Sequence, residues 1–319
     1  MISLVQLSYI VAVDNYRHFA TAAQNCFVTQ PTLSMQIQKL EDELGVLIFD
    51  RSKVPVTPTD IGKAVIEQAR KILQETSRIT DIINIHSKEI SGIFRVGVIP
   101  TIAPYLLPLF LEPFLEKYPK VELVIDEIQT SQIIEKLRKE EIDLGLMATP
   151  LYQNDLIEKP LYYEPFVAYI SQEHRLSKKK KLTTSDLSVN DLLLLKEGHC
   201  FREHALQLCK DHAQHKHQHN LKFEGGNLET LKRLVEKDFG MTLLPYLAAF
   251  DMESADVKKP GSLKEFDEPV PKREISLVYL RAYLKKHIIS AFEGEILKAI
   301  ADHQINQKLM GKDNSLIVE

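Results

Sequence analysis

The chain has 319 residues, of which 44% are hydrophobic and 26% charged, and its formal net charge is −4. This length exceeds what one hydrophobic core usually organises, so two or more domains are expected. The apolar runs are too short to span a membrane, the first residues lack a basic leader segment, and three cysteines fit a reducing compartment. We therefore expect a cytoplasmic protein with no membrane partner, whose overall charge does not by itself indicate nucleic-acid binding.

Residues 1–58 predict a winged helix-turn-helix. Apolar residues repeat at helical spacing from Leu4, a short helix begins at Phe19, and a third helix follows Thr29 as its N-cap and stops at Gly45. Residues 49–58 could form a small β wing. In such a domain the third helix enters the major groove and cations of the wing lie along phosphates. The candidate DNA-binding residues are Thr29, Gln30, Pro31, Thr32, Ser34, Gln36, Lys39, Arg51 and Lys53.

Residues 59–90 predict one long linker helix. Its apolar stripe has spacings of three and four and consists of Ile61, Val65, Ala69, Ile72, Ile79 and Ile83. A single helix with such a stripe needs a partner, and a second copy of the chain is the simplest one. We expect a homodimer or a homotetramer, and the sequence does not distinguish the two.

Residues 91–305 predict an α/β regulatory domain of two lobes, followed by a C-terminal tail over residues 306–319. Predicted strands at 93–99, 121–125 and 143–147 alternate with helices, which favours a mainly parallel sheet. A second set of α/β elements follows, including a predicted strand over 192–195. Two linked halves of this kind suggest a hinged fold with a site in the cleft.

Cys200 and Cys209 lie nine positions apart in a segment that also carries His199, Arg202, His204 and Lys210. Neighbouring positive charge is expected to lower a thiol pKa and to favour the reactive thiolate. If residues 199–212 form one helix, a rise of about 1.5 Å per residue sets the two Cα atoms about 13.5 Å apart. A disulfide needs about 4.4–6.8 Å, so bridging would unwind the helix, as a redox switch requires. Two ordinary buried cysteines on an amphipathic helix are the alternative.

The segment AAQNCFVTQPTLSMQIQKLEDELG, from Ala22 to Gly45, resembles the DNA-binding domain of LysR-type transcriptional regulators. The order of winged helix-turn-helix, linker helix and periplasmic-binding-protein-like regulatory domain fits nearly the whole chain. The resemblance implies a regulator and not an enzyme, with no cofactor and no metal. It also implies double-stranded DNA with paired half-sites and RNA polymerase as partners.

Within that family the chain is similar to peroxide-sensing activators of oxidative-stress genes. The similarity is carried by IPTIAPYLLP from Ile99, EGHC ending at Cys200, NLETL from Asn227, MTLLP from Met241 and KREISLVY from Lys272. It implies that hydrogen peroxide is the signal and that a cellular thiol reductant resets the switch. The implied sensing residues are the peroxidatic Cys200, the resolving Cys209, and the peroxide-binding Thr101, Thr130, His199 and Arg273.

Two other functions stay open from the sequence. The first is a LysR-type regulator gated by a small metabolite in the cleft between the lobes, with cysteines that take no part. The second is a thiol peroxidase, for which the helix-turn-helix would have no use. A histidine cluster at His212, His215, His217 and His219 could bind a metal, although its spacing is more typical of a solvated loop.

The charge of the predicted DNA-binding segment is unusual for its role. Residues 1–60 hold four basic side chains against six acidic ones, a net charge of −2. Because DNA affinity usually depends on phosphate contacts, we expect specificity and pairing of two domains to contribute more here. Cys26 in the same segment reads as a small buried hydrophobe, and the basic run Lys178–Lys181 as an exposed loop.

Overall fold

A computed structural model describes residues 2–87, 90–209, 223, 225–254, 261–281, 285–302, 309 and 315–318. The chain divides into two compact units, Met1–Glu89 and Ile90–Glu319. The histidine cluster predicted at 212–219 lies outside the described residues. Where the chain is described, its helices lack the combination of length and hydrophobicity that crossing a bilayer requires.

The first unit contains the predicted helices and wing. They are α1 (Leu4–Tyr16), α2 (Phe19–Asn25), α3 (Gln30–Leu44), β1 (Phe49–Asp50), β2 (Thr57–Pro58) and α4 (Asp60–Ser87). Thr29 caps α3 by accepting a hydrogen bond from the Thr32 amide, and Gly45 ends it at φ 67°. β1 and β2 pair antiparallel as the wing. The side chains of the unit's core come from α1, α2, α3, α4 and the start of the wing and include Ile10, Val13, Leu33, Ile37 and Leu40.

A buried carboxylate joins the third helix to the wing. Glu41 is 4% exposed, and its Oε1 accepts hydrogen bonds from the backbone amides of Ile48 (2.8 Å) and Phe49 (3.2 Å). Its Oε2 accepts from Arg51 Nη2 at 2.8 Å. Glu41 therefore satisfies two backbone donors that the turn before β1 would otherwise bury without partners.

The apolar stripe of α4 divides into two faces. Ile66 and Ala69 are buried in the core of the first unit, and Val65 and Leu73 pack beside them. Among the α4 side chains that the structure describes, a second set is exposed: Ile61, Ile72 and Ile79. The side chain of Ile83 lies outside that description. At about 100° per residue these three lie within roughly 20° of one another around the helix axis. They form one apolar face that the rest of the first unit does not cover.

The second unit is built of alternating strands and helices. Its first half comprises β3 (Gly92–Val98), α5 (Ala103–Lys117), β4 (Val121–Glu127), α6 (Thr130–Arg138) and β5 (Leu144–Thr149). The long strand β6 (Leu156–Ser171) leads to a second half of α7 (Cys200–Gln207), α8 (Leu228–Val235), β7 (Met241–Pro245), α9 (Tyr246–Ser254) and β8 (Gly261–Lys264). β9 (Val270–Leu280), α10 (Lys286–Asp302) and β10 (Ser315–Ile317) complete the described elements.

The sheet of the second unit is mixed, so the expectation of a mainly parallel sheet is wrong. The strand order is β4-β3-β5-β9-β6-β7, with β10 against β9 and β8 against β6. β3 pairs parallel with β4 and β5, whereas β9 runs antiparallel to both β5 and β6. β6 and β9 are long enough to extend through both halves. Because they run antiparallel to their neighbours, both halves contain antiparallel pairs.

Two local expectations in the second half also need correction. The leucines at 192–195 follow a short 3-10 helix and form only isolated bridges, Leu192 to Met241 and Leu195 to Gly225. The helix expected over 199–212 begins at Cys200 and ends at Gln207, before Cys209. The residues after Cys209 in that expectation lie outside the described part of the chain.

Candidate functional site

Three loops of the second unit meet around a small cavity. One follows β3, one precedes α6 and one precedes α7. Its lining residues are Ile99, Pro100, Thr101, Gln129, Thr130, Gly198, His199 and Cys200. Four of the six residues expected to sense peroxide, namely Thr101, Thr130, His199 and Cys200, therefore line one cavity. Cys209 does not line it, and Arg273 lies behind Thr101.

The loop before α7 places the Cys200 thiol at this cavity. Cys200 is the first residue of the helix and His199 is its N-cap. Gly198 has φ 91°, and a Cβ at this position would lie 2.7 Å from Gln129 Oε1. The backbone conformation therefore favours glycine at this position, whereas the Gln129 side chain could shift to admit a Cβ. Sequence analysis missed Gln129, which is adjacent to the predicted Thr130.

Arg273 is held beneath the cavity by a buried ion pair. Arg273 and Glu164 are each 1% exposed, and Glu164 Oε2 accepts from Arg273 Nε at 2.9 Å and from Nη2 at 2.7 Å. Arg273 Nη1 donates to Thr101 Oγ1 at 2.8 Å, and its guanidinium lies 5.0 Å from the centroid of the Phe201 ring. β6 and β9 bring the pair together because Glu164 stands opposite Arg273 in their register. Sequence analysis missed Glu164, because only the pairing of two distant strands brings it to the site.

The net effect of these surroundings on Cys200 is opposite to the one expected from the sequence. Burial raises the pKa of the Cys200 thiol above its ordinary value, and Glu203 acts in the same direction. The charge of Arg273 and the hydroxyl of Thr130 lower that pKa but do not outweigh burial. The resting site therefore holds mainly the thiol at neutral pH, with two groups placed to favour the thiolate once it forms.

The histidines next to Cys200 do not supply the positive charge that was expected of them. Burial, and then the charge of Lys196, lowers the pKa of His199. Burial, and then Arg273, lowers the pKa of His204 to about 4. Both imidazoles are accordingly neutral at pH 7. The cation that acts on the thiol comes from β9, distant in sequence.

The hydroxyl of Thr130 lacks the kind of hydrogen bond that Thr101 makes with Arg273. Thr130 Oγ1 is buried and, within the described part of the chain, has no hydrogen bond of ordinary geometry. The same hydroxyl lies near the sulfur of Cys200, since it lowers the pKa of that thiol. A buried hydroxyl without a partner is costly, and a small polar molecule in the cavity would satisfy it.

Cys209 lies in the hydrophobic core. It is 3% exposed, follows the end of α7, and its Sγ donates to the carbonyl of Ala205 at 3.4 Å. None of Cys26, Cys200 and Cys209 forms a disulfide. Eight helical residues at about 1.5 Å each extend roughly 12 Å, well beyond the Cα separation of a disulfide. Joining Cys200 to Cys209 would therefore require α7 to unwind.

The size of the cavity limits what it can bind. Its volume is about 10 Å³, counted as space for the centre of a water-sized molecule. This is near the minimum needed to hold one water. The enclosed space beside Cys200 therefore matches a molecule of about the size of water.

A polar contact between α5 and α8 bridges the two halves of the second unit. Tyr105 donates to Glu229 Oε1 at 2.8 Å, and Lys232 Nζ lies 2.5 Å from the same oxygen. Lys232 is 6% exposed, and its ammonium lies 5.5 Å from the centroid of the Tyr105 ring. These three side chains belong to the protein itself and occupy space between the halves.

The candidate DNA-binding residues lie on the surface of the first unit. Thr29, Gln30, Pro31 and Lys39 are exposed, as are Arg51 and Lys53 of the wing, while Thr32, Ser34 and Gln36 are half-buried. Sequence analysis passed over Met35, which is 62% exposed, and the exposed Gln38. At about 100° per residue, both lie opposite the buried face of α3. The alternating choice of positions 30, 32, 34 and 36 did not follow that helical spacing.

Arg51 differs from the other surface cations because the domain itself engages it. Its Nη2 pairs with Glu41, its Nη1 donates to Ser34 Oγ at 3.2 Å, and its guanidinium lies 5.2 Å from the Phe19 ring centroid. Its contribution to a phosphate contact is therefore reduced by the carboxylate of Glu41.

Comparisons with known proteins agree with both units. Residues 4–63 match the family model described as bacterial regulatory helix-turn-helix protein, lysR family, and residues 87–300 match that of the LysR substrate binding domain. The chain therefore belongs to the LysR family of bacterial transcriptional regulators, which bind DNA and are not enzymes.

Within that family, the chain is similar to the following individual proteins. The chain is 37% identical over 273 residues to a hydrogen peroxide-inducible genes activator of Dickeya chrysanthemi, covering 86% of this chain and 88% of the relative. It is 36% identical over 274 residues to the DNA-binding transcriptional dual regulator OxyR of Escherichia coli K12, with coverage of 86% and 88%.

Solved structures give the same result. A full-length OxyR variant from Pseudomonas aeruginosa superposes with a TM-score of 0.74 at 33% identity, covering 93% of this chain and 98% of that chain. An H2O2-bound OxyR mutant from Corynebacterium glutamicum has a TM-score of 0.62 at 30% identity, with coverage of 94% and 93%.

No metal site is found among the residues that the structure describes, since no group of three or more His, Cys, Asp or Glu side chains there could hold an ion. The acidic and thiol side chains of the site instead make the contacts given above.

The same substitution at the two threonines of the cavity should affect stability differently. Thr101→Val removes a hydrogen bond from a buried cation and should lower the free energy of unfolding by about 1.5–3 kcal/mol. Thr130→Val removes a hydroxyl without a partner and should change it by less than about 0.5 kcal/mol or stabilise the protein. Urea denaturation of the reduced protein measures both values. Equal losses would contradict the assignment of the two hydroxyls.

His204 should make stability depend on pH. Its folded pKa of about 4 lies below the ordinary value, so its contribution is fully present above about pH 6.5 and is lost as the pH falls toward 4. Between pH 8 and pH 5 the loss should be roughly 2 kcal/mol, at about 1.4 kcal/mol for each pH unit below 6.5. His204→Gln should remove this part of the loss in urea denaturation at the two pH values. The exposed His287, changed to Gln, is the control and should leave the loss as it is.

Proposed function

We propose that this protein is a hydrogen peroxide-sensing transcriptional activator of oxidative-stress genes, in which Cys200 is oxidised and Cys209 resolves it to a disulfide. The observation that carries the proposal is the water-sized cavity, which is lined by Cys200 and by the buried hydroxyl of Thr130 that lacks a partner. The names of the relatives, hydrogen peroxide-inducible genes activator and OxyR, support the same function.

The proposed reaction begins at Cys200. Its thiol loses a proton, and the thiolate attacks one oxygen of hydrogen peroxide, which breaks the O–O bond. The sulfur keeps one oxygen as sulfenic acid, and the other leaves as hydroxide and takes up a proton. Arg273 stabilises the thiolate electrostatically, and Thr130, Thr101 and His199 are placed to hold the two peroxide oxygens.

The second step joins the two cysteines. The Cys209 thiol condenses with the sulfenic acid of Cys200, releasing one water and forming the disulfide. Because Cys209 is buried behind α7, this step removes Cys209 from the core and unwinds the helix. A cellular thiol reductant would reduce the disulfide and return both cysteines to thiols.

The DNA-binding unit is proposed to respond to that rearrangement as part of an oligomer. The exposed face of Ile61, Ile72 and Ile79 on α4 suits a second copy of the chain. We propose a homodimer or homotetramer that binds paired half-sites of double-stranded DNA in the cytoplasm and acts with RNA polymerase. The proposed parts are residues 1–58, 59–90, 91–305 and 306–319, as in the sequence analysis.

The residues proposed to contact DNA follow from exposure and charge. Lys39, Lys53 and Arg51 would contact phosphates, with Arg51 weakened by its pairing to Glu41. The other residues proposed to lie along the groove or at the start of α3 are the polar Thr29, Gln30, Thr32, Ser34 and Gln36, together with Pro31.

The two alternative functions have less support. A metabolite in the cleft would have to displace the contact of Tyr105, Glu229 and Lys232. A thiol peroxidase would leave a complete helix-turn-helix without a role.

A thiol map after peroxide tests the proposed function. With one equivalent of hydrogen peroxide, we expect wild type to give a Cys200–Cys209 disulfide by mass spectrometry. Cys209→Ser should instead give Cys200 sulfenic acid, trapped by dimedone, because no resolving thiol remains. Cys26→Ser is the matched control and should behave as wild type. If both thiols stay unmodified while transcription still responds to peroxide, the proposal is wrong and a ligand in the cleft becomes the better explanation.

Loss of one surface cation should weaken DNA binding without a loss of specificity. Lys39→Ala should lower affinity for a random-sequence duplex and for an operator by a similar factor. The slope of log affinity against log salt concentration should shrink by about one, because one phosphate contact is lost. Fluorescence anisotropy at several salt concentrations measures this. Lys71→Ala on α4 gives the same change in net charge and should leave the slope unchanged.

A further inference from the structure

We propose that Glu164 is a positioning residue for the sensing reaction: its carboxylate offsets the charge of Arg273 and so limits how much Cys200 thiolate forms. The inference rests on the proposed function, since it assigns Cys200 as the reacting group. Glu164 does not line the cavity, and it would act on Cys200 through the side chain of Arg273.

Both carboxylate oxygens of Glu164 accept hydrogen bonds from within the protein. One carboxylate oxygen accepts both hydrogen bonds from Arg273, and the other accepts from the amide of Leu247 at 3.0 Å. Glu164 is 1% exposed, so solvent does not screen its charge. Among the described residues it is the carboxylate that forms an ion pair with Arg273.

The position of Arg273 makes this pairing matter for the thiol. Arg273 favours the charged form of Cys200, and the same charge disfavours the protonated form of His204. Arg273 also stacks on the ring of Phe201, the residue that follows Cys200. A guanidinium with a carboxylate bound to it exerts a weaker field at a third group than one that is unpaired.

The other groups near the thiol and the guanidinium do not take over this role. Glu203 on α7 raises the pKa of Cys200 but forms no ion pair with Arg273. His199 is neutral at pH 7, and the buried phenol of Tyr162 has its pKa raised by burial first and then by Glu164. Thr101 accepts hydrogen bonds from Arg273 but carries no charge.

The pair thus leaves the proposed sensor with a thiol that is ionised to a smaller extent. A paired Arg273 holds the thiolate less strongly, so the fraction of Cys200 that can react at neutral pH stays low. Replacing the carboxylate by the isosteric amide would keep an acceptor for Arg273 while removing the negative charge.

The experiment measures ionisation of Cys200 without peroxide. Full-length protein with Cys26→Ser and Cys209→Ser keeps Cys200 as its thiol, and the rate of iodoacetamide alkylation from pH 6 to pH 10 reports the thiolate fraction. Glu164→Gln should raise the rate at pH 7 about three- to tenfold and move the midpoint of the profile to lower pH. Arg273→Gln should move the midpoint to higher pH.

The double variant decides whether Glu164 acts through Arg273. In the Arg273→Gln background, Glu164→Gln should change the rate at pH 7 by less than about twofold. An equal effect with and without Arg273 would overturn the proposal, and so would a Glu164→Gln profile that coincides with wild type. Glu158→Gln is the matched control, since Glu158 lies on the same strand and accepts a backbone amide, that of Leu151.

A purely structural role for Glu164 is distinguished in the same way. If circular dichroism shows that Glu164→Gln does not fold, Glu164→Asp keeps the charge but draws it back from Arg273 and should give a smaller shift in the same direction. No shift in that variant would contradict the proposal. Because alkylation involves no peroxide, failure of this cycle leaves the disulfide chemistry intact, and failure of the thiol map leaves this cycle interpretable.

Discussion

The arrangement of the candidate site depends on one arginine that is buried beneath the cavity. Arg273 is removed from water, and its charge is matched by Glu164 and by the hydroxyl and carbonyl of Thr101. A buried cation without such partners would cost several kcal/mol, so the pairing is a condition for placing any fixed charge near Cys200. The long strands β6 and β9 satisfy this condition because their register sets Glu164 opposite Arg273. The chemistry of the thiol therefore depends on a strand pairing that extends through both halves of the unit.

The helix α7 separates the two cysteines of the proposed disulfide. Cys200 is the first residue of α7 and lies at the cavity, whereas Cys209 follows the helix and packs in the core. Their separation along eight helical residues makes the local fold and the disulfide mutually exclusive. If the proposed disulfide forms, this segment would turn a two-electron oxidation into an altered surface, which a rigid scaffold with adjacent cysteines could not do. In the DNA-binding unit the corresponding fixed element is Glu41, whose hydrogen bonds attach the wing to the recognition helix.

Helix caps, periodicity and cysteine spacing predicted much of this architecture from the sequence. Thr29 and Gly45 bound α3 as expected, and the winged helix-turn-helix and the α/β alternation are confirmed by the structure and the family comparison. The direction of the strands was not predictable, because alternating elements do not reveal that β9 returns antiparallel between β5 and β6. The pKa of Cys200 was misjudged for a related reason. Neighbours in sequence suggested positive charge, but burial neutralises those histidines and the effective cation comes from β9. Glu164 and Gln129 could not be found by local reasoning, since only tertiary pairing brings them to the site.

The small cavity beside Cys200 has one further consequence, for selectivity among oxidants. The space described beside Cys200 is close to the volume of a single water, so a hydroperoxide that carries an alkyl or lipid group would have to displace lining side chains to reach the sulfur. The side chain of Gln129, which approaches Gly198, is one of these lining groups. If Cys200 reacts as proposed, steric exclusion would therefore act together with intrinsic reactivity in selecting among oxidants.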